Sequence, residues 1–411
     1  MWARPARGVG LQCVALVKEC AIYCTVMSDA DGPRQANTPK TVRRLRVLAV
    51  EPGYGGSRRA FVENLAAYSA HEIVPLTLPA RFPRWRLRGA HYELAQMLAA
   101  FPGDFDLVLA SDLLNLPALL GAARARLRDA RVLAYFHDDQ LNNPLPPWEK
   151  RDPALSLVNL DSMLAADAVW FNTTGHRDTF FDALPRLLRV FPEYRPYHVE
   201  GQIRARTEVV PPGVDVRALI AERDAARDAP LPDGPPVLLW NSRWDYEKRP
   251  DLFFAALRDL LERRVPFRLA LAGTNPHGRA PEFAEAREEF AAQLVHYGQR
   301  PNREEYARLL WRCDIVVSTA EHEYFPVAAL EAMACGCVPV VPDTPGFAPF
   351  APAAHRYRPG EVGSLADRLA ALLRAKTPLD PAPFRAAAAR ADITHAIAAF
   401  DEGFARICTS T

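Results

Sequence analysis

Apolar positions along this chain gather in runs of about four or five, each closed by a turn and followed by a stretch with helical spacing. The first is Arg46 to Val50, ending in the glycine-rich turn Glu51 to Ser57, after which Phe61, Leu65 and Tyr68 recur at helical intervals. Similar runs start at Ile73, Leu107, Val132 and Ala168, the last followed by a helix to about Leu188. The series then restarts with strands at Val237–Trp240, Arg268–Ala272, about His296–Gly298, Ile315–Ser318 and Val338–Val341, with helices at 251–263, 304–312 and 327–334 between them. Strand alternating with helix predicts parallel sheets covered on both faces. Two such series predict two doubly wound α/β domains facing each other across a cleft, with ligands at the carboxyl ends of the strands. The expected divisions are a loosely ordered extension over 1–44, a first domain over 45–212, a proline-rich linker over 213–236, a second domain over 237–382 and an alanine-rich helix within 383–411.

Composition narrows the class. The chain has 411 residues, 49% hydrophobic and 24% charged, which suits globular domains and excludes disorder over the whole length. Fifty basic against 49 acidic residues give a net charge of +1, which argues against a generally basic nucleic-acid binder but allows a local basic face. No run of 18 uncharged apolar residues occurs, so no membrane association is expected. The apolar stretch from Leu11 to Met27 is interrupted by Lys18 and Glu19 and lacks a clean signal-peptide pattern; it reads as part of a loosely ordered extension, from an upstream mis-start of the reading frame, or else as an extra helix. Seven scattered cysteines suggest no disulfide framework, and a cytoplasmic location is the expectation. Only five lysines remain against abundant arginine, which draws the eye to Lys248.

Four clusters carry candidate chemistry. Glu323 and Glu331 flank a strand–helix junction and can accept hydrogen bonds from sugar or ribose hydroxyls, or simply lie on a solvated helix face. Arg243 and Lys248, between a strand and a helix, can converge on one anion, arginine as a fork and lysine as a point charge. Gly55 and Gly56 open a helix whose backbone amides can approach a phosphate, although the segment does not match the dinucleotide fingerprint. His137, at a strand end before Asp138, Asp139 and Gln140, can hold a hydroxyl or move a proton. No D-x-D pattern of the metal-dependent transferase kind accompanies these clusters, and no bound metal is expected. The pair Cys335 and Cys337 reads as core around a helix-ending glycine. Further upstream, Arg81 to Arg88 interleaves Arg84, Trp85 and Arg86 with other arginines and Phe82. That pattern suits phosphates and unpaired bases, or an amphipathic segment whose aromatics pack inside; Arg186, Arg189 and Arg195 extend it.

Together, R-x4-K at Arg243 and Lys248 and E-x7-E at Glu323 and Glu331 resemble retaining glycosyltransferases of the GT-B architecture, built of two Rossmann-like domains. The segments 51–57, 135–141, 240–244 and 318–325 resemble the tRNA-queuosine alpha-mannosyltransferase family more narrowly, over about Arg46 to Pro342. The resemblance implies transfer of mannose from GDP-mannose to queuosine in the anticodon loop of tRNA(Asp), without a metal or other cofactor and without an obligate protein partner. It assigns Arg243 and Lys248 to the donor diphosphate, Glu323 to the donor sugar and Glu331 to the ribose, with His137 orienting a hydroxyl. Gly298 and Phe325 join Gly55, Gly56 and Glu331 as expected substrate contacts, and Arg84, Trp85 and Arg86 as acceptor contacts. Two departures stand out: Pro326 replaces the usual glycine and has no backbone N–H to offer, and Asp138-Asp139 replaces Glu-Asn in the family's YFHENQ pattern. The competing expectations are the same fold acting on a lipid or small-molecule acceptor, and a non-catalytic sugar-nucleotide or RNA binder.

Overall fold

The computed structural model describes residues 43–145, 149–228, 231–274 and 281–409. The expected N-terminal extension, except for Arg43 and Arg44, lies outside them. Twelve strands are described: β1 Arg46–Tyr54, β2 Glu72–Pro79, β3 Leu107–Ser111, β4 Arg131–Phe136, β5 Ala168–Phe171, β6 Thr207–Val209, β7 Val237–Trp240, β8 Arg268–Ala272, β9 Leu294–Gly298, β10 Ile315–Val317, β11 Val338–Pro342 and β12 Arg356–Tyr357. They form two parallel six-stranded sheets, ordered β2-β1-β3-β4-β5-β6 and β12-β11-β10-β7-β8-β9.

The strands are short apolar runs because both faces of each sheet are covered. Along β1, Leu48 and Val50 enter one core while Val47 and Ala49 enter the core on the other face. Along β7, Leu238 and Trp240 divide from Val237 and Leu239 in the same way. This two-residue alternation is the pleat expressed as packing.

The strand orders decide where a site can form. In the first sheet the chain changes direction of travel between β1 and β3, and in the second between β7 and β10. Connections leave for opposite faces at such a point and open a crevice at the strands' carboxyl ends. The end of β1 with its following turn is 51–57, and the segments after β7 and β10 are 241–250 and 318–326, so three of the four sequence clusters fall at the two crevices.

Three boundaries differ from expectation. Strand β1 does not stop at Val50 but runs to Tyr54, with an irregular register between Glu51 and Tyr54. The stretch expected to be a linker carries two short helices, Arg217–Ala221 and Arg223–Arg227, and buries Val214, Val216 and Leu219 in the second domain's core. Those apolar residues need cover, and the second sheet supplies it. The C-terminal helix is two helices, Ala382–Arg390 and Ile393–Thr409. The first packs in the second domain; the second crosses back, and its Phe400 and Phe404 join Trp170 and Tyr135 in the first domain's core. Gly403 lies against the Trp170 indole with no room for a Cβ.

Candidate active site between the two domains

The second domain's half of the site grows from β7 and β10. Asp245 accepts a hydrogen bond from the Tyr246 amide, at 2.8 Å, and starts a tight turn, Tyr246–Lys248. That turn carries Lys248 toward the loop after β10, where its Nζ donates to Glu323 Oε2 at 2.7 Å and stands 3.8 Å from Glu247. Thr319 Oγ1 donates to the Lys248 carbonyl at 2.6 Å, tying the two loops together. Burial alone would lower the Lys248 pKa, but the carboxylates of Glu323 and Glu247 outweigh it and hold the ammonium above its ordinary value. Arg243 pairs with Glu247, so the expected anion-binding pair does come together, with Glu247 between its members.

Glu331 lies on the helix Val327–Ala334 that follows the same loop, and it is buried. Its carboxylate takes Arg303 Nη1 at 2.6 Å and the Tyr306 hydroxyl at 3.0 Å. Asn241, just past β7, donates to Tyr306 at 3.0 Å and to the Ala328 carbonyl at 2.7 Å, which fixes this group beside the β7 crevice. Each carboxylate oxygen has a second lone pair free for a hydroxyl donor.

The first domain faces this with its own charged nest. Arg58, on the helix Gly56–Tyr68, makes a two-pronged pair with buried Asp112 after β3, at 2.9 and 2.7 Å, and reaches Glu51 at 3.4 Å. Burial pushes the Glu51 carboxyl up despite that arginine. Arg58 and Arg243 lie close enough across the cleft for their charges to repel. Gly56 takes φ +53°, the left-handed region that glycine enters freely, and no side chain caps the helix it begins, so its first amides have no side-chain partner. Asp112 also accepts the His137 amide at 3.1 Å. The His137 ring packs edge-on to Phe61, and burial, together with the charge of Arg58, pushes its pKa well below the ordinary value. It is a neutral imidazole at pH 7, and no described residue occupies its ring nitrogens.

The two halves touch where Tyr324 and His322, not singled out from the sequence, meet Asp139 and Asp138. Tyr324, next to Glu323, donates its hydroxyl to Asp139 Oδ2 at 3.2 Å and stacks on His176 with ring centroids 3.9 Å apart. Asp139 is fully buried and also takes two amides (Leu141 and Asn142) and His176 Nε2 at 3.2 Å. Burial would raise its pKa, yet these hydrogen bonds hold it below the ordinary value. His322 Nε2 lies 3.3 Å from Asp138. Thus both aspartates that replace Glu-Asn of the family pattern contact the loop bearing Glu323. Gly346 supports that loop from the other side: a Cβ there would overlap the Glu323 carbonyl oxygen.

The remaining expected positions fall elsewhere. Phe325 is core, edge-on to Phe350, so its side chain offers a ligand nothing. Its expected role as a substrate contact is corrected: an aromatic between two buried elements belongs to packing. Gly298 ends β9 at φ +101° on the rim of the second sheet, with open space where a Cβ would be. Pro326 precedes the helix Val327–Ala334, and its carbonyl accepts the Leu330 amide at 3.0 Å, so the missing N–H falls where a helix leaves one spare. Arg84, Trp85 and Arg86 sit on the helix Pro83–Leu98, where Arg84 pairs with Glu149 and Arg86 with Glu93 at 3.2 Å. Among the described residues no three His, Cys, Asp or Glu side chains gather as a metal site, and no helix is long and apolar enough to cross a membrane.

Two facing doubly wound domains with paired cations and carboxylates at the cleft define a GT-B glycosyltransferase. Solved structures agree on the fold: sucrose-phosphate synthase from Thermosynechococcus elongatus aligns with a TM-score of 0.63 at 17% identity, covering 88% of this chain and 97% of that one. A glycosyltransferase from Rickettsia africae aligns at 0.63 with 14% identity, covering 90% and 100%. Residues 222–386 match the model of glycosyl transferases group 1, and residues 46–214 that of the tRNA-queuosine alpha-mannosyltransferase N-terminal domain. The tRNA-queuosine alpha-mannosyltransferase of Drosophila melanogaster is 33% identical over 305 residues, 72% of this chain and 79% of that protein. The chain belongs to the tRNA-queuosine alpha-mannosyltransferase family. A GDP-mannose-dependent alpha-(1-6)-phosphatidylinositol dimannoside mannosyltransferase of Mycobacterium tuberculosis is 32% identical over 327 residues, covering 73% and 80%.

Proposed function

We propose that this enzyme transfers mannose from GDP-mannose to queuosine in the anticodon loop of tRNA(Asp), with retention at the sugar carbon and without a metal. The observation that carries the reading is the Lys248–Glu323 contact at the β7/β10 crevice, where a cation for the leaving diphosphate meets a carboxylate for the sugar. Without donor the two satisfy each other; with donor, Lys248 and Arg243 take the diphosphate, Glu323 the mannose hydroxyls and Glu331 the ribose. The sugar C1–O bond to the diphosphate breaks as an acceptor oxygen bonds to C1 from the same face. The acceptor's proton passes to the leaving diphosphate oxygen, and GDP departs. Negative charge grows on that oxygen, so fixed cations there lower the barrier most. Neutral His137, with its ring nitrogens open, orients a sugar or acceptor hydroxyl.

The family supports the acceptor, and relatives named for GDP-mannose support the donor. A kinetic comparison tests both choices. The enzyme is expected to show its highest kcat/KM with GDP-mannose over UDP-glucose, and with tRNA(Asp) over other queuosine-containing tRNAs. Efficient transfer to a polyprenol or phosphatidylinositol acceptor, with none to tRNA, would replace the reading with a lipid-directed one.

A further inference from the structure

One face of the first domain, outside the cleft, is built unlike the rest of the surface. Of the nine large apolar side chains most exposed among the described residues, six lie in two segments, Phe82 to Tyr92 and Val190 to Tyr197. Phe82 is 71% exposed, Trp85 67%, Tyr92 74% and Tyr194 70%. Phe82 also adopts φ +50°, a conformation that a bulky residue enters only when its surroundings hold it there. Trp85 lies beside Gly89 of its own helix, where a Cβ would touch the indole at 3.3 Å, and most of the residue is left to solvent.

The two segments are linked through their neighbours. The short stretch 149–152 is held to the first by Arg84 on Glu149 and by Arg88 on Asp152, and the helix that follows it, Pro153–Ala165, packs against both the helix Pro83–Leu98 and the helix His198–Arg204, which directly follows the second segment. From the same stretch Arg151 donates to the carbonyls of Gln140 and Asn143 and stands near enough to Arg186 to feel its charge. Arg151 also feels the charge of Asp139, whose partner Tyr324 belongs to the second domain, so this stretch lies near the contact between the domains. Arg81, Arg186, Arg189 and Arg195 are exposed and make no ion pair or side-chain hydrogen bond with the described residues.

We propose that this face cradles the single-stranded part of the acceptor RNA, with Phe82 and Trp85 stacking on unpaired bases and the free arginines taking phosphates along its path to the cleft. The proposal rests on the reading that the acceptor is tRNA. Every base presents a π face to an aromatic plate, and arginine pairs with phosphodiester oxygens. A lipid surface fits less well. The apolar residues of the helix Pro83–Leu98 (Leu87, Leu94 and Leu98 among them) point inward, and its outer side sets Glu93 and the paired Glu149 and Asp152 among separate aromatic plates. Insertion into lipid calls for a continuous apolar face instead.

Fluorescence anisotropy with the full chain tests it, using queuosine-containing tRNA(Asp), a blunt RNA duplex, and vesicles of phosphatidylcholine with phosphatidylglycerol. A Phe82→Ala/Trp85→Ala variant is expected to raise the Kd for tRNA about tenfold or more, with GDP affinity and melting temperature unchanged. Trp85→Phe, which keeps a stacking face, is expected to restore most of the binding. Arg186→Ala/Arg189→Ala is expected to flatten the salt dependence of tRNA binding. Wild-type affinity for tRNA in the double aromatic variant, equal affinity of the wild type for the duplex, or loss of vesicle binding instead of tRNA binding would each overturn the proposal. If the wild-type enzyme turns over GDP-mannose but binds no tRNA at all, the functional reading falls with it. If all variants bind and modify tRNA like the wild type, only the surface assignment falls.

Discussion

Lys248 and Glu323 hold opposite charges 2.7 Å apart at the β7/β10 crevice, and in the proposed reaction each exchanges the other for the donor. Lys248→Ala is therefore expected to lower kcat by about 10²–10³-fold, the usual consequence of losing one preorganised charge at a leaving group. Its melting temperature should change little, because removing a side chain from this open ligand site leaves the two cores intact; transfer kinetics beside a melting curve checks both. Near-normal turnover would remove Lys248 from the mechanism. Tyr324→Phe is the second test at this scale. It takes one donor from the buried Asp139 carboxylate, at a cost of about 1–3 kcal/mol, readable as a lower melting temperature with slower transfer. The spacing of R-x4-K and E-x7-E made Arg243, Lys248, Glu323 and Glu331 legible in the sequence, because loops after neighbouring strands bring such positions together by topology alone. Tyr324 was not legible: its partner Asp139 is 185 residues away, and nothing local marks the pairing.

Among the elements, the two crevices explain why function sits on loops. Strands β1, β3, β7 and β10 fix four loop origins, and the loops need only add length and polarity. Their shape is held by close packing at glycines. At Gly346 a Cβ would overlap the backbone of Glu323, so Gly346→Ala is expected to push that loop away from Lys248. A displacement near 1 Å lowers catalysis by about 10²-fold, and kcat/KM with the donor, measured on a variant of unchanged circular dichroism, would register it. Unaltered kcat/KM would show that the loop accommodates the methyl elsewhere. Strand existence was legible because buried parallel strands are plain apolar runs. The extent of β1, the absorbed linker and the break between the last two helices were not. Pro-rich composition reads as linker whether or not Val214, Val216 and Leu219 find cover, and helical alanine stretches do not reveal which domain they will pack on.

The molecule as a whole is joined across its cleft by Tyr324 on Asp139, His322 on Asp138, the close fit of Pro345 against Gly175, and the returning helix Ile393–Thr409. The His322 contact is sensitive to pH. Burial would lower its pKa, but the hydrogen bond and charge of Asp138 raise it above the ordinary histidine value. A raised histidine pKa means the contact is fully present below the ordinary value of about 6.5 and is lost as pH rises through the raised one. Turnover that depends on a closed cleft should decline along that limb, and His322→Gln should remove the decline; an identical pH profile in the variant would assign it to another group. The central claim, that this cleft places a hexose on queuosine, is tested most directly by incubating the enzyme with GDP-mannose and queuosine-containing tRNA(Asp) and examining the digested nucleosides by mass spectrometry. The account predicts a queuosine nucleoside heavier by one hexose, absent with Glu323→Ala. Unmodified queuosine, despite release of GDP and transfer to some other acceptor, would contradict it.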